Sequence, residues 1–186
     1  MQSATIAAVA FPAGAQVVCL GASNTAGTGV FQREAYPAQL EVMLRVKHCS
    51  GRVANAGVSG DTTWGMLNRL DAAVPDGTRV VILQPGSNDA RHGTASWRDV
   101  NISLIVERLR VRQFAVIMLE NQLIGKIRRQ GYGSDVQHLT AEGYRLLGTT
   151  TSGGCDRPRL AAELRRHSPM AFASPSVRPN AWPPGG

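Results

Sequence analysis

The sequence lacks any long apolar run. Nothing in it approaches the roughly 18 uninterrupted apolar residues of a membrane-crossing helix, so no transmembrane span is expected. Cysteine is scarce. Cys19, Cys49 and Cys155 are far apart and odd in number, with neither metal-ligand nor redox spacing, which argues against a disulfide framework. A single Cys19–Cys49 bridge stays open, although a thiol in an apolar strand is more commonly buried and free. A dense basic block is also missing. The formal charge is +7, but its arginines are scattered, and scattered arginine describes a solvated surface, so nucleic acid is not expected as a partner. Neither a G-x-x-x-x-G-K-[ST] phosphate loop nor H-E-x-x-H occurs, and Gly27-Thr28-Gly29 lacks the third glycine of a dinucleotide fingerprint. The G-x-S-x-G elbow of α/β-hydrolases is absent too, because Gly21-Ala22-Ser23 is followed by Asn24-Thr25. No internal repeat is found.

What remains is an ordinary globular chain. Its 186 residues, 43% hydrophobic and 18% charged, suffice for one domain with a sizeable core. Short apolar runs alternate with amphipathic segments, which predicts α/β layering around a mainly parallel sheet. Gln16–Leu20, Arg52–Ala56, Arg79–Gln84 and Gln113–Leu119 read as strands. Ala35–Val46 (Leu40, Met43, Leu44, Val46), Thr63–Leu70 and Ser96–Arg110 (Val100, Leu104, Val106, Leu109) read as helices. A last helix starts at Thr140, a good N-cap, with Leu139 placed to pack on Tyr144 as a hydrophobic staple. The order predicts right-handed crossovers and a three-layer α/β/α, flavodoxin-like sandwich, whose functional crevice lies at the carboxyl ends of the strands. Trp64 and Trp97 read as core, with the crevice wall as the alternative, and Met43, Met66 and Met118 read as core.

The ends of the chain differ from its middle. Residues 1–15 read either as a leader or as the remnant of a signal peptide, since Ala13-Gly14-Ala15 has a small-residue cleavage pattern but no Lys or Arg precedes the short apolar stretch. A cytoplasmic and a periplasmic or secreted location therefore both stay open. Thr149–Gly154 reads as a linker, Arg157–His167 as a short basic helix, and Ser168–Gly186, with five prolines, as a disordered tail. The expected organisation is a leader at 1–15, one domain at 16–148 and a tail at 149–186.

Each strand end carries something chemical. After the first comes Ser23, on a turn where a helix begins and backbone N–H groups are free. After the second comes Asn55-Ala56-Gly57-Val58-Ser59-Gly60-Asp61, in which Gly57 lets a backbone N–H approach a ligand closely. After the third comes Gly86-Ser87-Asn88-Asp89, whose Asn88 amide can donate into the same crevice. Asp135-Val136-Gln137-His138 precedes the last helix, and its spacing can aim both side chains one way. Acyl transfer requires this set. A serine hydroxyl needs an imidazole to take its proton, the imidazole needs a carboxylate to fix its tautomer, and the oxyanion needs donors. Ser23, His138 and Asp135 fill the catalytic roles; the N–H groups of Ser23 and Gly57 and the Asn88 side chain fill the oxyanion hole.

At these residues the chain resembles the SGNH (GDSL-type) hydrolase family, whose four blocks contribute Ser, Gly, Asn and His in the order in which Ser23, Gly57, Asn88 and His138 occur. The matching stretches are G-A-S-N-T, N-A-G-V-S-G-D-T-T, P-G-S-N-D-A-R-H-G and D-V-Q-H-L-T-A-E-G-Y, within residues 16–148. The nearest likeness is to the small bacterial arylesterase, thioesterase and lysophospholipase-like members. The resemblance implies a flavodoxin-like fold, ester hydrolysis with neither metal nor cofactor, and a small-molecule ester as partner. It leaves oligomeric state open. Two departures stand out. Ala22 replaces the aspartate of the usual G-D-S, and Glu120–Ser134 holds no fifth strand.

Taken singly, these residues have plainer readings. Ser23 is an ordinary helix N-cap, Gly57 a turn glycine, Asn88 an Asx-turn residue and Asp135 a cap. Asn24 reads as holding the turn, Asp89 as structural, and Ser59 as a rival nucleophile that more plausibly lends support. His92 stands near Asn88 without a suitably spaced carboxylate, while His48 and His167 read as solvated. The expected activity is a serine esterase acting on short-chain aryl or alkyl esters or thioesters through an acyl-serine. The alternatives are a carbohydrate O-deacetylase on the same scaffold, an inert binding module, or an adaptor working through its basic tail.

Overall fold

The computed structural model describes residues 17–46 and 51–151. Strand β1 (Val17–Gly21) is followed by helices α1 (Ser23–Ala26) and α2 (Tyr36–Val46), then by β2 (Val53–Gly57), α3 (Thr63–Asn68) and α4 (Leu70–Ala73). Strand β3 (Val80–Gln84) leads to α5 (Asn88–Arg91) and α6 (Arg98–Val111), and β4 (Ala115–Met118) to α7 (Asn121–Ile127) and α8 (Ala141–Thr151). All strand pairs are parallel and the order is β2-β1-β3-β4. No fifth strand forms between β4 and α8 among the described residues; α7 occupies that stretch, and only an isolated bridge joins Gly133 to Leu139. No helix of the described residues is long and apolar enough to cross a membrane.

The near-continuous apolar strands follow from burial on both faces. Val18 and Leu20 of β1, with Val81 and Leu83 of β3, face Met66, Leu70, Ile105 and Leu109 of α3, α4 and α6. Cys19 and Ile82 face the other way, toward Leu40, Ile124, Tyr144 and Leu147 of α2, α7 and α8. This is the three-layer α/β/α sandwich. Cys19 is free and buried, and burial pushes its thiol up to about 12, which makes it an inert core residue. Cys49 and Cys155, and with them the proposed bridge, lie outside the described residues, as do Gln16, His48, His167 and the leader.

Helix starts follow local chemistry. The Thr62 hydroxyl accepts from the Gly65 N–H at 3.1 Å, and that of Thr140 accepts from the Gly143 N–H at 3.2 Å. Leu139 and Tyr144 are both fully buried in the same apolar cluster. Helix α8 extends through Thr151 rather than giving way to a linker at Thr149. The hydroxyls of Thr149, Thr150 and Thr151 each bond a carbonyl four residues back.

Several core expectations are corrected. Trp64 and Trp97 are 57% and 63% exposed. On α3 the buried set is Thr63, Met66 and Leu67, which puts Trp64 on the outer face. Met118 ends the edge strand and is exposed, whereas Met66 is buried and Met43 half-buried. On α6 the inward residues are Asn101, Ile105 and Leu109, while Val100 and Leu104 are exposed. The polar Asn101 is inward because its amide donates to the Thr63 hydroxyl at 3.1 Å, which in turn donates to Asp89 at 2.6 Å. A satisfied buried polar network overrides the apolar pattern.

This facing predicts a contrast between neighbours. Ile105→Ala should lower the unfolding free energy by about 3 kcal/mol, whereas Leu104→Ala should change it by less than about 1 kcal/mol, measured by urea titration.

Candidate active site

Because the strands are parallel and in register, Gly21, Gly57 and Gln84 stand abreast at one edge of the sheet. The chain runs from β1 outward to β2, then returns to β3 on the other side, so the crevice between β1 and β3 is the topological switch point. Ser23 leaves the first of these strands and Asn88 follows the other.

The turn that carries Ser23 is held from below by a buried amide. Gln84, 1% exposed, accepts through Oε1 from the Ala22 N–H at 3.3 Å and from the Thr25 hydroxyl at 3.1 Å. Its Nε2 donates to Asn121 Oδ1 at 3.1 Å, and Asn121 Nδ2 donates to the Gly86 carbonyl at 2.8 Å. Ala22 itself belongs to the apolar cluster and is 2% exposed. A β-carbon on Gly86 would come within 3.0 Å of the Ala22 methyl, so the two residues pack closely. From the opposite side the Arg69 guanidinium donates to the Gly21 carbonyl at 3.2 Å and pairs with Asp61 at 2.8 Å.

The loop before α8 presents a second unit. Asp135 Oδ2 lies 2.7 Å from His138 Nδ1, while Oδ1 accepts from the backbone N–H groups of Gln137 at 2.6 Å and His138 at 2.7 Å. The bond to the His138 ring, then those backbone donors, holds the Asp135 carboxyl down to about 2. This loop is tied to the serine turn through the residues that flank the two side chains. Asn24 donates to the Gln137 carbonyl at 3.2 Å, and the Tyr144 hydroxyl donates to Asn24 Oδ1 at 3.3 Å. Burial pushes that hydroxyl up to about 12, so it stays a donor. Asn24 thus holds the turn to the loop.

A cavity of about 340 Å³ opens at this edge, lined by Ala22, Ser23, Asn24, Asn88 and Gln137 among others. Asn88 is 7% exposed and spends one amide hydrogen on the Asp61 carbonyl at 2.8 Å, leaving the other for the cavity. The structure joins Asp135 to His138 and brings Ser23 and Asn88 to one cavity. It draws no hydrogen bond between Ser23 and His138 among the described residues.

Gly57 behaves differently from the sequence expectation. Its N–H donates to Asn55 Oδ1 at 2.9 Å, and a β-carbon on it would lie 2.1 Å from the Ala26 nitrogen. It is glycine so that α1 can pack on β2. Three residues on, Gly60 has φ +80°, which L side chains rarely adopt, and its N–H makes no bond to a described residue. Its neighbours bridge the two halves of the site: Ser59 bonds Thr28 at 2.5 Å and Asp61 accepts from Asn88. The Ser59 hydroxyl is thereby a brace. Asp89, fully buried, binds the N–H and hydroxyl of Thr63 and serves the fold. His92 is the exposed cap of α5 and does not line the cavity. Gln84, Asn121 and Gly60 escaped the sequence reading. A polar residue closing the otherwise apolar run V-V-I-L-Q was the one available signal for Gln84.

The GDSL-like Lipase/Acylhydrolase family model matches residues 19–131, which includes Ser23 and Asn88 and ends before Asp135. Esterase TesA of Pseudomonas aeruginosa is 29% identical over 109 residues, which is 58% of this chain and 54% of that protein. The chain therefore spans about half the length of that relative. Among solved structures, the psychrotrophic esterase EstA from Pseudoalteromonas sp. superposes with a TM-score of 0.65 at 17% identity, covering 78% of this chain and 98% of that one. AlinE4, an SGNH-hydrolase family esterase, does so with a TM-score of 0.57 at 26% identity, over 80% and 98% of the two chains. The first of these likenesses concerns the fold alone.

The Asp135–His138 geometry makes a spectroscopic prediction. The Asp135 carboxyl should titrate with a midpoint near 2 by NMR, and His138→Ala should move that midpoint up toward the ordinary carboxylate range. Because the folded value is depressed, the bond's contribution to stability is present above the unfolded midpoint and is lost as pH falls toward 2.

Proposed function

Since the chain belongs to the GDSL-like lipase/acylhydrolase family, the SGNH hydrolases, we propose that it is a serine esterase working through an acyl-serine intermediate. The observation that carries this reading is the Asp135–His138 pair at 2.7 Å, on a loop bonded through Gln137 to the residue that follows Ser23. The Ser23 hydroxyl attacks the ester carbonyl carbon as the His138 imidazole takes its proton. Asp135 holds the ring tautomer and stabilises the imidazolium. The tetrahedral oxyanion is met by the Ser23 N–H, which has no intrahelical partner at the first position of α1, and by the Asn88 amide. For the third donor we take Gly60 in place of Gly57, whose N–H is already given to Asn55. Collapse expels the alcohol, which collects the proton from His138, and water then repeats the sequence on the acyl-enzyme.

The cavity of about 340 Å³ is at the small end for a ligand site and favours short acyl or aryl esters and acyl thioesters. Ala22 in place of an aspartate does not remove the support of the serine turn, because Gln84 supplies it. We take residues 16–148 as the hydrolase domain, with α8 extending it to Thr151.

Ser23→Ala should lower kcat/KM on 4-nitrophenyl butyrate by about 10³-fold or more. Asn88→Ala should lower it by about 10²–10³-fold. Equal slow hydrolysis by the Ser23→Ala and parent proteins would return the chain to the class of inert binding modules. A strong preference for acetylated xylan would make it a sugar deacetylase instead.

A further inference from the structure

The cavity that holds Ser23 is lined by two cations, Arg91 and Arg128, and by no carboxylate. Arg91 ends α5, three residues beyond Asn88, and makes no hydrogen bond or ion pair with a described residue. Arg128 caps α7 and is half-buried. Its stem lies against Gly133, where its Cγ would stand 2.5 Å from a β-carbon, and its guanidinium donates to the Val136 carbonyl. That bond fixes the cation on the loop that also carries Asp135 and His138, and leaves its other N–H groups unspent. The nearest carboxylate on that loop is committed elsewhere, since both Asp135 oxygens are held by His138 and Gln137. By contrast, Arg69 pairs with Asp61 behind the serine turn, and Arg108, Arg112 and Arg145 pair with Asp71, Asp76 and Glu142.

Two like charges turned into one concave site repel unless an anion joins them, and a walled cleft focuses their field on whatever enters. From this we infer that the preferred substrate is an ester bearing an anionic group, a carboxylate or phosphate, on its acyl or its leaving-group side. The inference rests on the esterase reading and adds the charge of the substrate. Planar guanidinium groups suit this task because they bind such oxyanions through paired N–H donors. Arg91 and Arg128 would hold the anionic end while Ser23 meets the carbonyl.

The test compares esters matched in size and leaving group. The acyl arm pairs mono(4-nitrophenyl) glutarate with 4-nitrophenyl valerate, and the leaving-group arm pairs 4-acetoxybenzoate with 4-acetoxybenzamide. At low ionic strength the anionic member of at least one pair should show a kcat/KM about tenfold above its neutral partner, and salt should erode this advantage. In Arg91→Gln and Arg128→Gln that ratio should fall to within about twofold of one, while in Arg110→Gln, on the remote helix α6, it should persist. The arm that responds identifies the side of the ester carrying the charge. If Arg128→Gln loses its circular dichroism, the ratio in Arg91→Gln decides. The inference is overturned if the neutral esters are turned over and both ratios stay near one, or if a preference survives both substitutions. Turnover no greater than that of Ser23→Ala on all four esters would instead defeat the esterase reading, and this inference with it.

Discussion

Gln84 closes the most fully buried strand of the sheet with an almost wholly buried carboxamide, and every polar atom it buries needs a partner within the protein. Left unsatisfied, such a group would cost about 1–3 kcal/mol. Its oxygen takes the N–H of Ala22 and the hydroxyl of Thr25, and its nitrogen reaches Asn121. One side chain on β3 thereby sets the turn leaving β1 and anchors the start of α7. Through Asn121 it also engages the Gly86 carbonyl, two residues before Asn88. The positions of Ser23, Asn88 and the cavity wall all follow from that set of bonds.

This arrangement accounts for the alanine at position 22. The turn before the serine needs a fixed backbone, and a charged side chain is one way to provide it. Here the same end is met by a neutral amide from the neighbouring strand, and Ala22 is left to fill apolar space next to Gly86. A neutral support avoids the desolvation that burying a further carboxylate would cost. The buried carboxylate the molecule does keep, Asp89, lies one residue past Asn88. It is spent on capping α3 through Thr63.

Charge is distributed with the same economy around the cavity. Negative charge is concentrated in Asp135, locked against His138 and two backbone N–H groups, so it addresses the imidazole and not the cavity at large. Positive charge enters from Arg91 and Arg128 on the walls. Among the described residues the serine turn and the histidine loop are joined by the bond from Asn24 to Gln137, with Tyr144 behind Asn24.

The strands and the parallel sheet were legible in the sequence because each depends on local matters: an apolar run, its closing glycine or polar residue, and the amphipathic stretch that follows. So was the placing of Ser23, Asn88, Asp135 and His138, since each stands after a strand or before a helix, where a few consecutive residues define the segment. The inward face of α6 was not legible, because Asn101 is buried only by virtue of Thr63, 38 residues earlier in the chain. Nor were Gln84 as the support of the serine turn or the exposure of Trp64 and Trp97. The same holds for the commitment of the Gly57 N–H, which turns on whether Asn55 claims it and α1 packs on its α-carbon. Sequence by itself determined which residues come to the edge of the sheet. Tertiary structure alone decided which of their donors remain free and which charges face one another, because those outcomes depend on partners that only folding brings within hydrogen-bond distance.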